Sequence, residues 1–208
     1  VCENWRKPDK GIGNPGRSAA VRVVQSHVLG GIGSRGQNCR IAEQTWLWRA
    51  VECRAALIKE DVFTHGWKEE LQSFSQCYEN QALDSSLLLM EPYGFISADD
   101  VRYHKTVRAV KEALMHKGLM YRYNSKDDFG LPSSAFTICT FWLIRALYVI
   151  GQREEAQCLF EEVLTYGNHL GLFSEDINFD TKELLGNFPQ AYSHLALVNT
   201  AIFTFTRE

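Results

Sequence analysis

The fifteen residues Phe136 to Ile150, FTICTFWLIRALYVI, constrain this chain more than any other segment. They are apolar almost all round, so a helix built from them has no face fit for water and must lie inside a layer of other helices. Gly151 ends the segment. The next stretch, Arg153 to His169, is amphipathic, with Glu154, Glu155, Glu161 and Glu162 on one face and Ala156, Leu159, Phe160, Val163 and Leu164 on the other. An inner helix followed through a tight turn by an outer one is an α/α hairpin. Three further helices are expected: Trp46 to His65, closed by Gly66; Ser97 to about His116, closed by Gly118; and Pro189 to Phe205, with proline at its start, where the missing N–H costs nothing. The fold class is therefore all-α, an α/α toroid or an α-solenoid. Solenoids repeat every ~34–45 residues, and no such repeat is present. The 208 residues suffice for one domain with a sizeable core.

The candidate chemistry sits between the last two helices. Gly171 can take the positive φ of a helix end. The chain then presents Ser174-Glu175-Asp176 before the helix restarts at Pro189. A carboxylate pair on a loop held by flanking helices suits acid–base work, although solvated loop acids have the same spacing. Other residues carry two readings each. Trp142 could face a ligand or pack the core, and the inner-helix position favours the core. Trp5 is an anchor or a ligand platform. Arg122, between Tyr121 and Tyr123, is a surface arginine or a ligand contact. Asp84 suits a helix N-cap, and His65 suits the negative end of its helix. Gly30-Gly31-Ile32-Gly33 does not make a phosphate loop, because no Lys-Ser/Thr follows and no strand precedes it.

A net charge of −3 gives no electrostatic case for nucleic acid or an anionic membrane. No apolar run reaches the ~18 residues of a membrane span. Six cysteines without a CxxC pair argue against zinc and against a disulfide framework, so free thiols in a reducing, cytoplasmic setting are expected. The chain begins at Val1 without a signal-peptide pattern and reads as part of a longer protein.

The run Leu184-Leu185-Gly186-Asn187-Phe188-Pro189-Gln190-Ala191-Tyr192-Ser193-His194, behind Ser174-Glu175-Asp176, closely resembles the base-bearing segment of the family 15 glycoside hydrolases. These are the glucoamylases, glucodextranases and some bacterial trehalases. Leu83-Asp84-Ser85-Ser86 and Trp67 to Tyr78 are similar to further segments of that family. The resemblance implies an (α/α)6 barrel, of which residues 1–208 would be a partial catalytic domain, the C-terminal half. It implies hydrolysis of an α-glucosidic bond with inversion, in a glucan, an oligosaccharide or a trehalose-like disaccharide, without metal or cofactor. Glu175 is then the general base. Arg122, Gln190, Trp142 and Asp176 are the candidate substrate-binding residues. Two departures matter. Gly130-Leu131-Pro132-Ser133-Ser134-Ala135-Phe136 lacks two residues of the family loop, an acid among them. Arg145 stands where relatives commonly carry Glu.

The family's general acid lies in a G-I-W-E-[VI]-R-G-G motif. Here the chain reads Gly11-Ile12-Gly13-Asn14-Pro15-Gly16, so Asn14 occupies the acid's position, and an amide cannot protonate a leaving oxygen. The following segment is glycine-rich where the resemblance implies an apolar helix containing M-C-W-V-A-L-D-R. Codons can be written for His27 to Gly36 that, read one base later, spell Met-Cys-Trp-Val-Ala-Leu-Asp-Arg-Gly. The same shift from Gly13 to Arg17 permits Glu-Ile-Arg-Gly-Gly. Residues 13–38 are therefore read as out of frame, with compensating shifts near Ile12 and Cys39. The DNA decides this: an interrupted shifted frame refutes it. As written, the chain is expected to be inactive or nearly so. The alternatives are a sugar-binding pseudoenzyme and a helical protein-interaction scaffold.

Overall fold

A computed structural model of the protein describes residues 45–126 and 130–205. Among the described residues five α-helices carry the architecture: α1 (Thr45–His65), α2 (Val101–Leu114), α3 (Thr137–Val149), α4 (Arg153–Leu164) and α5 (Ala191–Phe205). Helix α3 is the inner one. It packs on α4, α5, α2 and a 3-10 helix at Ser85–Met90. Cys139, Phe141, Leu143, Ile144 and Leu147 of α3 are wholly removed from water. Burying one such side chain contributes roughly 1.5–3 kcal/mol, so the all-round apolar sequence is what a helix covered by four neighbours requires. Helix α4 lies on α3 through Ala156, Leu159, Phe160 and Val163, with its glutamates outward.

Helix ends differ from the sequence expectation where side chains redirect the backbone. The α2 helix starts at Val101, four residues later than expected, because Asp100 caps it, accepting from the Arg102 backbone N–H at 2.9 Å. It stops at Leu114, two residues early, as the chain enters a hairpin of β3 (Met115–His116) and β4 (Leu119–Met120). Lys117 and Gly118 turn that hairpin with positive φ. The α4 helix stops at Leu164 rather than His169. There Asn168 Oδ1 accepts the backbone N–H groups of Leu170 and Leu172, both at 2.9 Å, and winds the chain into a turn before Gly171.

The all-α expectation holds for the framework but omits three small antiparallel sheets among the described residues. One is the hairpin of β1 (Trp67–Lys68) and β2 (Ser73–Phe74), where Phe74 is buried. The second is β3–β4. The third bears on function: β5 (Ala135–Phe136), β6 (Asp176–Ile177) and β7 (Leu184–Leu185) form a three-stranded sheet in the order β5-β6-β7. It sits at the N-terminal end of α3. Two-residue strands carry no alternation that a sequence reading could detect.

Candidate active site

Glu175 enters the site from a segment fixed on both sides. Phe173 is buried with 1% exposure and meets Phe141 of α3 edge-on, ring centroids 5.8 Å apart. Its backbone N–H donates to His194 Nε2 at 3.2 Å, and His194 Nδ1 lies 2.7 Å from the Gln190 carbonyl. The imidazole therefore bridges as the Nδ1–H tautomer, a structural strut between loop and helix. The Gln190 backbone N–H donates to the Phe173 carbonyl at 2.9 Å, and the Ser193 hydroxyl donates to the Ser174 carbonyl at 2.8 Å. Pro189, joined to Phe188 by a cis peptide bond, carries the chain from this clasp into α5.

The backbone on either side of the Glu175 side chain is tied as well. Its carbonyl accepts from the Thr137 N–H at 3.0 Å, and its N–H donates to the Asn187 carbonyl at 2.9 Å. Among the described residues the carboxylate is held at one oxygen. Oε2 accepts from Asn187 Nδ2 at 2.7 Å and from the Asn187 backbone N–H at 3.3 Å. Gly186 makes this approach possible. It has φ +73, and a Cβ there would lie 3.1 Å from Glu175 Oε2 and 3.3 Å from Glu175 Cβ. A glycine and an asparagine on β7's trailing end thus form a cradle for one carboxylate oxygen. A carboxylate clasped at one oxygen keeps the lone pairs of the other for a proton.

Asp176 occupies the central strand, paired with Phe136 on one side and Leu185 on the other. Its Oδ2 accepts from the Ser134 hydroxyl at 2.7 Å. Burial pushes its pKa above the ordinary aspartate value; the Ser134 hydrogen bond opposes this and the neighbouring Glu175 charge adds to it. A raised folded-state pKa means that the ionised form costs stability. That cost is absent below the unfolded value of 3.8 and complete once pH has risen through the folded pKa. Asp176→Asn is therefore expected to unfold at higher urea than the parent chain at pH 7. The difference should vanish near pH 3, read from paired denaturation curves; an equal difference at both pH values contradicts the assignment.

Glu175, Asp176, Arg122, Tyr123, Ser134 and Phe136 line one cavity of about 740 Å³. Arg122 follows β4 and lines the same cavity. Its Nε donates to both oxygens of buried Asp84, at 2.8 and 3.0 Å. Burial is the largest single influence on the guanidinium and works against its charge, yet Asp84, with smaller effects from Cys139 and Tyr123, keeps its pKa above the ordinary arginine value.

Of the candidate residues, Glu175, Asp176 and Arg122 come together in this cavity. Trp142 is half-buried and lines a larger neighbouring groove of about 810 Å³, its ring 5.7 Å from the Arg122 guanidinium. Gln190 is at the start of α5, where its Oε1 accepts from the Tyr192 N–H at 3.4 Å, and it is not among the residues lining the Glu175 cavity. Asn14 and the segment 13–38 lie outside the described residues. Asn187, Ser134 and the Asp84 contact were not singled out from sequence. The Gly186-Asn187 pair was visible within the long matching run, but nothing local distinguishes a cradle from a turn.

The sequence profile described as Glycosyl hydrolases family 15 matches residues 1–202. A trehalase of Mycobacterium tuberculosis is 37% identical to the chain over all of its length, covering 31% of that relative. A trehalase of Thermoplasma acidophilum is 36% identical over 74% of the chain and 26% of the relative. The chain thus spans about a third of the length of the curated relatives it matches. A solved glycosidase superposes with a TM-score of 0.75 at 18% identity, over 88% of this chain and 51% of the other. A glycosidase variant solved in complex with glucose superposes with a TM-score of 0.74.

Proposed function

The chain belongs to the glycosyl hydrolases of family 15, and on that premise we propose that it carries the general-base half of an inverting α-glucosidase site, with trehalose as the first substrate to test. The observation that carries this reading is the Glu175 carboxylate, clasped at Oε2 by Asn187 and lining a cavity that Arg122 lines as well. The trehalase names of the relatives support the choice of substrate.

In the reaction, a water bonds to the anomeric carbon as the bond from that carbon to the glycosidic oxygen breaks. The Glu175 carboxylate takes the water's proton, and an acid delivers a proton to the departing oxygen. Attack from the face opposite the leaving group inverts the anomeric centre, and the two carboxyls of such a pair stand ~6.5–9.5 Å apart to admit the water. With Asn14 in the acid position, this chain supplies only the base. Arg122, which lines the same cavity, hydrogen-bonds sugar hydroxyls in this reading.

We read the chain, on the same premise, as the C-terminal half of an (α/α)6 toroid. Its coverage of about half of a solved glycosidase supports this. So does the groove along α3 and α5, where Leu195 stays exposed for helices of a fuller barrel to cover.

The test is a titration of the purified chain with glucose, followed by amide NMR, beside an assay of glucose release from trehalose and maltose. Glucose is expected to shift the amides of Glu175, Asn187 and Arg122 while neither disaccharide is cleaved. Turnover contradicts the missing acid, and an unperturbed spectrum contradicts the sugar site.

A further inference from the structure

Asp84 is 5% exposed and carries a charge. Capping the 3-10 helix explains only part of it: its Oδ1 accepts the Ser86 N–H at 2.7 Å, which a neutral serine or asparagine would do as well. The rest of the carboxylate is spent on Arg122. Both oxygens converge on Nε rather than forming the usual fork across Nε and Nη. Among the described residues the two Nη groups have no hydrogen-bond partner. About a third of the arginine side chain, 32%, stays exposed, and it lines the Glu175 cavity. The guanidinium also lies over the Trp142 ring, 5.7 Å from its centroid. The backbone is locked in the same place: the Ser85 N–H donates to the Arg122 carbonyl at 2.8 Å, and the Ser85 hydroxyl donates to the Tyr121 carbonyl at 2.6 Å. Three contacts from Asp84-Ser85 therefore fix both the main chain and the side chain of one arginine.

We propose that Asp84 is the positioning residue for Arg122, gripping the guanidinium by Nε so that its outer amino groups are presented to a sugar in the cavity. This rests on the reading of the cavity as a sugar site. A long arginine left free would lose rotamer entropy on each binding event; one already held does not.

The test uses the full 208-residue chain with glucose as probe. Asp84→Ser keeps an oxygen for the helix cap but cannot reach Arg122, and Asp84→Asn keeps the shape and loses the charge. Glucose affinity is expected to fall about tenfold in Asp84→Ser, the effect of one charge-assisted hydrogen bond, and less in Asp84→Asn. Arg122→Lys should cost as much, and the double variant Asp84→Ser with Arg122→Lys no more than either single one. Independently of sugar, the parent chain should show a slowly exchanging Arg122 Nε–H signal in its ¹⁵N spectrum, absent in Arg122→Lys and lost to fast exchange in Asp84→Ser.

Unchanged affinity with an unchanged Nε–H signal, or losses that simply add, overturns the proposal and leaves Asp84 a helix cap. If the parent chain binds no glucose, the sugar-site reading fails. The Nε–H signal then still decides whether Asp84 holds Arg122.

Discussion

Glu175→Gln should reduce hydrolysis of α-glucosyl fluoride by this chain about 10²–10⁴-fold, the contribution of a positioned general base. Fluoride departs with little need of a proton, so this substrate tests the base without calling on a general acid. Glutamine fits the same space and can still accept the Asn187 contacts seen at Oε2. The fold should survive and glucose affinity should change little, so the loss belongs to the rate rather than to binding. A variant that releases fluoride as fast as the parent chain would remove Glu175 from the mechanism.

Phe173→Ala is expected to cost about 3–5 kcal/mol of folding stability, the usual range for emptying a fully buried phenylalanine site. Its ring sits against Phe141, and close enough to Gly167 that a Cβ there would be 3.2 Å away. Total stabilities of ~5–15 kcal/mol leave little after such a loss. The urea midpoint should fall steeply, with glucose binding weakened even where the variant remains folded, because Ser174 and Glu175 hang from the same residue. Phe173→Leu, which refills much of the space, should recover most of both. A midpoint that does not move contradicts the anchoring role.

These two residues illustrate what the sequence made legible. The inner helix was readable because fifteen consecutive residues without a polar face leave one physical option. The outer helix was readable because its glutamates and apolar residues alternate at helical spacing. The helix ends were less legible: Asn168 and Asp100 set them through side-chain to backbone hydrogen bonds that many asparagines and aspartates could make and few do. The three-stranded sheet was hidden, since each strand is two residues long and its partners lie about 7 to 42 positions apart in the chain.

The site was legible in part, and for a different reason. Glu175 stood out through a long family-like run and not through its own surroundings, because a loop glutamate carries no local mark of a base. Gln190 belongs to that same run, yet its side chain turns to the α5 backbone. Trp142 is core or sugar-facing by sequence, and the structure leaves it half-buried with its ring beside Arg122. The Asp84–Arg122 contact joins residues 38 apart and could be found only once the fold had brought them together.

The most direct test of Glu175 as an inverting base is the anomer first formed when the chain hydrolyses α-glucosyl fluoride, read by proton NMR before mutarotation, with Glu175→Gln as control. The account predicts β-glucose from the parent chain and almost none from the variant. α-Glucose as the first product, or β-glucose formed equally by the variant, would contradict it.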